Sequence, residues 1–224
     1  MVLTRSDDGS EQLNLRDQAY SAFTQGLLSR TLKPGQFISQ RELADVTGFS
    51  LGAIRELIPR LEAEDLIRTI PQRGMQIAQV DMLLVRQAFQ LRLFLEKEAI
   101  AVFTRSVSEA ELTRIRKAHE SVLERMEKSP SPRVIQQAQA VDWGFHDQLI
   151  ASLGNALITN IYRINSIKIR LIRQSQTRLE GDLVAPVMRD HMKVIEAIEA
   201  RDPAQAVAAL SAHIEGARLR ALDL

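Results

Sequence analysis

Asp142 and His146 stand four residues apart in the run Asp142-Trp143-Gly144-Phe145-His146, and two further histidines, His191 and His213, follow at long intervals. In a helix an i,i+4 pair projects from one face, so a carboxylate oxygen and an imidazole nitrogen reach the same point. Two more imidazoles from facing helices complete an Asp/His3 set, which suits a divalent metal: zinc first, with nickel or manganese as alternatives. A cage of this kind with open coordination positions has two uses. It can activate water against an ester, amide or phosphate, or it can hold a small carboxylate ligand. The first use needs a general base beside the ion. No His-Glu-x-x-His run or Gly-rich phosphate loop occurs, so a metal-dependent hydrolase is the alternative and the weaker reading. The fourth histidine, His119, lies on a charged helical stretch without a partner motif and reads as a hydrogen-bonded core residue.

The elements that must position these residues are helical. From Asp81 onward the periodicity predicts helices over Met82–Arg105, from Ser108 to about Lys128, and from Ser131 to near Gly154. A fourth runs from Asn155 to about Leu179, a fifth holding His191 starts around Gly181 and Pro186, and a sixth holding His213 restarts at Asp202-Pro203. Six helices over such a length form a bundle able to bury its own core.

The N-terminal third reads differently. Gln12 to Ser29 follows helical spacing and ends before Lys33-Pro34-Gly35. Ser39-Gln40-Arg41-Glu42 has the form of a capping box that opens a short helix, and Gly48 closes it. Ser50 is placed to cap a third helix with Ile54, Leu57, Ile58 and Leu61 on its apolar face. Two extended runs, 66–70 and 75–80, flank Pro71-Gln72-Arg73-Gly74, which is turn chemistry. Helix, short helix, turn, helix and hairpin make a winged helix-turn-helix. The expected fold is therefore mainly α, a winged helix-turn-helix followed by a six-helix all-α bundle. Its expected divisions are a flexible arm at 1–11, a DNA-binding domain at 12–80 and a helical metal- and effector-binding domain at 81–224.

Composition agrees with a globular protein: of 224 residues 45% are hydrophobic and 25% charged, and cysteine is absent. A reducing compartment is expected, and with no apolar leader or membrane-length apolar run the expected location is the cytoplasm, without membrane association. Net charge is +1, and the first 80 residues carry nine Lys/Arg against ten Asp/Glu. Any DNA contact must therefore come from cations gathered on one face.

Several runs resemble one family. Leu32-Lys33-Pro34-Gly35, Arg41-Glu42-Leu43-Ala44, Ile54-Arg55-Glu56-Leu57 and Arg60-Leu61-Glu62-Ala63-Glu64-Asp65-Leu66-Ile67 resemble the winged-helix domain of GntR-type bacterial regulators, and Gln72-Arg73-Gly74 fits its wing. The bundle is similar to the FCD ligand-binding domain of the FadR-type subfamily, through Arg92-Leu93-Phe94-Leu95-Glu96, the Asp142–His146 run, Gly154-Asn155, His191 and His213. Six bundle helices resemble the shorter, VanR-like branch.

The resemblance implies a ligand-responsive repressor, not an enzyme, acting as a homodimer or higher oligomer on a double-stranded pseudo-palindromic operator. It implies metal ligation by Asp142, His146, His191 and His213, with a small organic acid bound beside the ion and met by Arg92. It also implies DNA contacts by Arg41, Ser50, Leu51, Gly52, Arg55, Arg73 and Gly74. One departure bears on base preference. The family often has Ser-Arg-Thr-Pro-Val-Arg-Glu at the recognition helix, whereas this chain has Ser50-Leu51-Gly52-Ala53-Ile54-Arg55-Glu56, which exchanges a base-reading arginine for an apolar side chain suited to a thymine methyl. Against DNA contact stands a plainer reading, in which these arginines are solvated or paired with Glu42, Glu56 and Glu62.

Overall fold

A few polar residues start and stop the short helices of the N-terminal third. Ser39 Oγ accepts the Glu42 backbone N–H at 3.2 Å, and the Glu42 carboxylate accepts the Ser39 N–H at 2.7 Å. This reciprocal capping box opens α2 (Gln40–Thr47). Gly48 ends the helix at φ +75°, a left-handed conformation that glycine adopts without steric cost, and donates its N–H to Ala44 O. Ser50 Oγ then accepts the Ala53 N–H and opens α3 (Leu51–Ala63).

The computed structural model describes residues 8–175 and 180–222. Its first helix, α1 (Asp8–Leu28), begins inside the stretch expected to be a flexible arm. Helix propagation past a nucleated stretch costs little, so the polar residues 8–11 extend the helix. Residues 1–7 of that expected arm lie outside the described residues. α1 packs on α2 and α3, where Phe23, Leu27, Leu43, Ile54, Leu57 and Leu61 are fully buried. Each such side chain contributes roughly 1.5–3 kcal/mol.

The wing is β2 (Ile67–Ile70) and β3 (Gly74–Ile77), antiparallel, with Ile67 opposite Ile77 and Ile70 opposite Gly74. Gly74 sits at φ +88°, and a Cβ there would lie 3.1 Å from Ile38 O, so backbone conformation and close approach both call for glycine. Both strands are shorter than the runs 66–70 and 75–80 suggested. A third strand, β1 (Phe37–Ile38), pairs with β3 and gives the sheet order β1-β3-β2. Two residues are too few to show a period of two, so β1 has no signature in the sequence.

The remaining helices, all among the described residues, are α4 (Met82–Ser106), α5 (Glu109–Lys128), α6 (Pro132–Ala151), α7 (Ala156–Ser175), α8 (Glu180–Glu199) and α9 (Pro203–Leu222). Ser108, Ser131, Asn155 and Asp202 each accept backbone N–H groups at the helix start, as their residue types predict. α8 differs from expectation, because Gly181 and Pro186 lie inside it. Pro186 forfeits one i→i−4 hydrogen bond. Burial of Val184, Val187 and Met188 against Val122 and Ala138 outweighs that loss. The expected extension of α7 beyond Ser175 falls on 176–179, outside the described residues.

Among the described residues the chain divides into two compact units, 8–81 with 170–175 and 82–169 with 180–222. In the second unit α4 runs along α9, and α8 packs on both α9 and α5. The core of this bundle holds Phe89, Ile100, Phe145, Leu149, Val194, Ile198 and Leu210, all at most 1–2% exposed. Into that apolar interior the helices project an unusual number of polar side chains.

Candidate functional site

Asp142 and His146 leave the same face of α6, His191 comes from the middle of α8 and His213 from the middle of α9. All four are buried, at most 4% exposed, and offer ligating atoms that lie within 4.8 Å of one another. His191 Nε2 is 3.2 Å from His213 Nε2 and 3.4 Å from Asp142 Oδ1, and His146 Nε2 is 4.0 Å from the same Asp142 oxygen. Donors bound to zinc at about 2.0–2.2 Å stand roughly 3–4 Å apart on its surface. The four sequence-predicted metal ligands thus come together, within 4.8 Å of one another, as a group that could hold an ion.

The protonation pattern suits a cation as well. His146 Nδ1 lies 2.7 Å from Glu96 Oε2, a carboxylate oxygen that can only accept, so Nδ1 carries the hydrogen, and in the neutral ring Nε2 carries the lone pair. That Nε2 is buried and has no hydrogen-bond partner. A buried acceptor left this way costs about 1–3 kcal/mol unless a donor or a cation meets it. Burial, reinforced for His213 by the neighbouring imidazoles, pushes the His191 and His213 rings well below their ordinary range, so both are neutral and able to ligate.

Glu96 on α4 anchors the surroundings. Its Oε1 accepts Arg92 Nε at 2.8 Å and the Tyr162 hydroxyl at 2.7 Å, the latter reaching in from α7. Burial alone would raise this carboxyl, but Arg92 and the His146 imidazole outweigh it and hold it at about 2. The Arg92 guanidinium, which burial would lower, is raised instead by Glu96. Arg92 and Glu96 form a buried ion pair beside the cluster. A carboxylate set among buried imidazoles favours a divalent cation.

Arg92, expected to meet an organic acid, sits 5% exposed beside the cage and spends its Nε on Glu96. The local sequence assigns no role to Glu96 or Tyr162, nor to His119 as a partner of a metal ligand. His119 lies on the buried stripe Leu112, Ile115, His119, Val122 of α5, and that spacing of three, four and three marks an inward face.

In the first unit, Ser50 caps α3, Leu51 and Gly52 form its first turn, and Arg41, Arg55 and Arg73 are exposed. Arg55 Nε donates to Gln40 Oε1 at 3.2 Å, joining α3 to α2. The Arg73 guanidinium lies 5.7 Å from the centre of the exposed Phe37 ring. Among the described residues none of these three arginines forms an ion pair. Glu42 is taken up by the capping box and Glu62 by the Thr69 N–H, so the plainer reading of the arginines is not realised at those two acids. Arg60 is structural: it covers the Tyr20 ring at 3.9 Å and pairs with Asp17 and Glu64.

Comparison with known proteins matches the FCD domain over residues 87–216 and the bacterial regulatory proteins of the gntR family over residues 15–77. The chain belongs to the GntR family, in the branch that carries an FCD domain. It is 24% identical over 197 residues to the uncharacterized HTH-type transcriptional regulator YdhC of Bacillus subtilis, covering 88% of this chain and 86% of that protein. Among solved structures, a GntR transcriptional regulator from Rhodococcus sp. RHA1 has the same fold with a TM-score of 0.75 at 17% identity, over 96% of this chain and 98% of the other. McbR/YncC of E. coli superposes with a TM-score of 0.70 at 17% identity, over 92% and 93% of the two chains. The metal-free FCD domain of TM0439 matches 65% of this chain and 96% of its own at a TM-score of 0.54 and 22% identity. The GntR family consists of transcriptional regulators, and the hydrolase alternative finds no support. No helix among the described residues is long and apolar enough to cross a membrane.

Proposed function

We propose that this chain is a ligand-responsive repressor whose FCD domain holds a divalent ion, zinc in the first instance, through Asp142, His146, His191 and His213. The observation that carries this reading is the convergence of three imidazole nitrogens and one carboxylate in an apolar interior. An ion bound there supplies open positions for a small organic acid. Arg92 stands beside the cage and contributes positive charge toward that ligand's carboxylate, with Glu96 fixing the guanidinium.

On the DNA side, one winged helix of each protomer reads a half-site of a pseudo-palindromic operator, so a homodimer matches the two-fold symmetry of the duplex. Arg41 and Arg55 face the major groove with Ser50, Leu51 and Gly52, while Arg73 and Gly74 form the wing tip. Leu51 favours a thymine methyl where an arginine would favour guanine. Effector binding is reported to the DNA side through α4, which begins at Met82 soon after the wing and carries both Arg92 and Glu96. A coupling of about 1–3 kcal/mol changes operator affinity by roughly five- to 150-fold.

The test is a thermal-shift screen of small organic acids with the full chain, with and without added zinc, followed by gel-shift on the upstream region of its own gene. A ligand that stabilises only the zinc-loaded protein and weakens its DNA complex supports the reading. Absence of zinc uptake refutes the cage, and indifference of the DNA complex to every acid that binds refutes the response.

A further inference from the structure

One buried titratable group close to the cage has no part in the reading above. His119 on α5 is 1% exposed, and its Nε2 lies 3.0 Å from Nδ1 of His191. We infer that His119 is a positioning residue for His191, fixing the tautomer and ring direction that aim the Nε2 lone pair into the cage. The inference rests on the metal-site reading and extends it to a side chain outside the donor set.

His119 Nδ1 faces the Ile115 carbonyl oxygen at 2.8 Å, and a carbonyl only accepts, so Nδ1 holds the hydrogen. In a neutral ring Nε2 is then the acceptor. His191 Nδ1, at 3.0 Å, must therefore donate, which leaves the His191 lone pair on Nε2, the atom that faces Asp142 and His213. A backbone carbonyl on α5 thus sets the tautomer of a ligand on α8 through one intervening imidazole. Phe145 holds that imidazole in place, edge to face with His119 at 5.4 Å and 83°.

His146 reaches the same end by another route, because its Nδ1–H goes to the Glu96 carboxylate. Two of the three imidazole ligands therefore have a dedicated acceptor behind them, one anionic and one neutral. An apolar side chain at position 119 would strand the His191 Nδ1–H in a dry interior. The ring would then gain by turning or by moving its hydrogen to Nε2, and either change removes a ligand from the ion.

The experiment measures zinc affinity of the full chain by competition with a chromophoric chelator for wild type, His119→Leu and His119→Gln. Cobalt(II) absorption reports ligand geometry, and thermal unfolding of the zinc-free proteins controls for the fold. Wild type should bind one zinc per chain. His119→Leu should bind it about 10- to 100-fold more weakly, with an altered cobalt spectrum. His119→Gln, whose side-chain oxygen can accept from His191, should recover most of that loss. An unchanged affinity and cobalt spectrum in His119→Leu would overturn the inference while leaving the metal site standing. A wild type that takes up no zinc would overturn both.

Where His119→Leu does not fold, nitrogen-15 correlation spectra of the imidazoles in unaltered zinc-loaded protein decide the matter. They should show hydrogen on Nδ1 of both His119 and His191, and hydrogen on Nε2 of either ring refutes the proposal.

Discussion

Glu96 takes the Nδ1–H of His146 at 2.7 Å on one carboxylate oxygen and the Arg92 Nε–H at 2.8 Å on the other. One wholly buried carboxylate therefore ties α4 to the helix that carries two of the four candidate ligands.

Replacing that carboxylate should cost stability and metal together. Glu96→Gln leaves the Arg92 guanidinium buried without its anion, which should destabilise the bundle by about 3–5 kcal/mol in urea unfolding. Zinc affinity should fall roughly 10- to 100-fold as His146 loses its anionic acceptor. A variant within about 1 kcal/mol of wild type would mean that Arg92 finds another partner.

Removing a ligand should empty the cage and spare the fold. Asp142→Ala deletes the one anion in the donor set, and elemental analysis should show zinc content falling to background. Far-UV circular dichroism should stay the same, since the six helices are held by an apolar core that Asp142 does not join.

Stripping the ion should lower the melting temperature of the unaltered protein. A ligand present at 100 times its dissociation constant stabilises the folded form by about 2.7 kcal/mol, which is several degrees for a bundle of this size. Calorimetry with and without chelator reads this directly. The shift should vanish in Asp142→Ala.

The DNA side should respond separately. Arg55→Ala removes an exposed guanidinium from α3 and should weaken operator binding in gel-shift titrations, with the salt slope falling by about 1 if the contact is to phosphate. Zinc content should not change. An identical binding curve would place Arg55 off the DNA.

Much of this was legible in the residues because local chemistry and global fold agree. Ser39 with Glu42, Gly48, Ser50 and Asn155 mark helix ends through hydrogen bonds that need no tertiary partner, and the structure keeps each of them. The i,i+4 spacing of Asp142 and His146 fixes one face of α6, and the resemblance supplied the two distant histidines. What stayed hidden depends on contacts remote in sequence. β1 is strand only because β3 lies beside it. Pro186 sits inside a helix only because its neighbours are buried on α5 and α6. His119 and Tyr162 acquire meaning from partners 72 and 66 residues away, and no window along the chain contains both ends of those bonds.

The cage draws only on oxygen and nitrogen, and the chain has no cysteine anywhere. Thiolate sites discharge their metal when peroxide or a disulfide reaches the sulfur. A carboxylate with three imidazoles offers no such handle, so on the proposed reading the bound ion stays in place through oxidative stress and the response follows the small acid alone. Peroxide-treated cells should keep this regulator switchable at concentrations that silence a sulfur-based sensor.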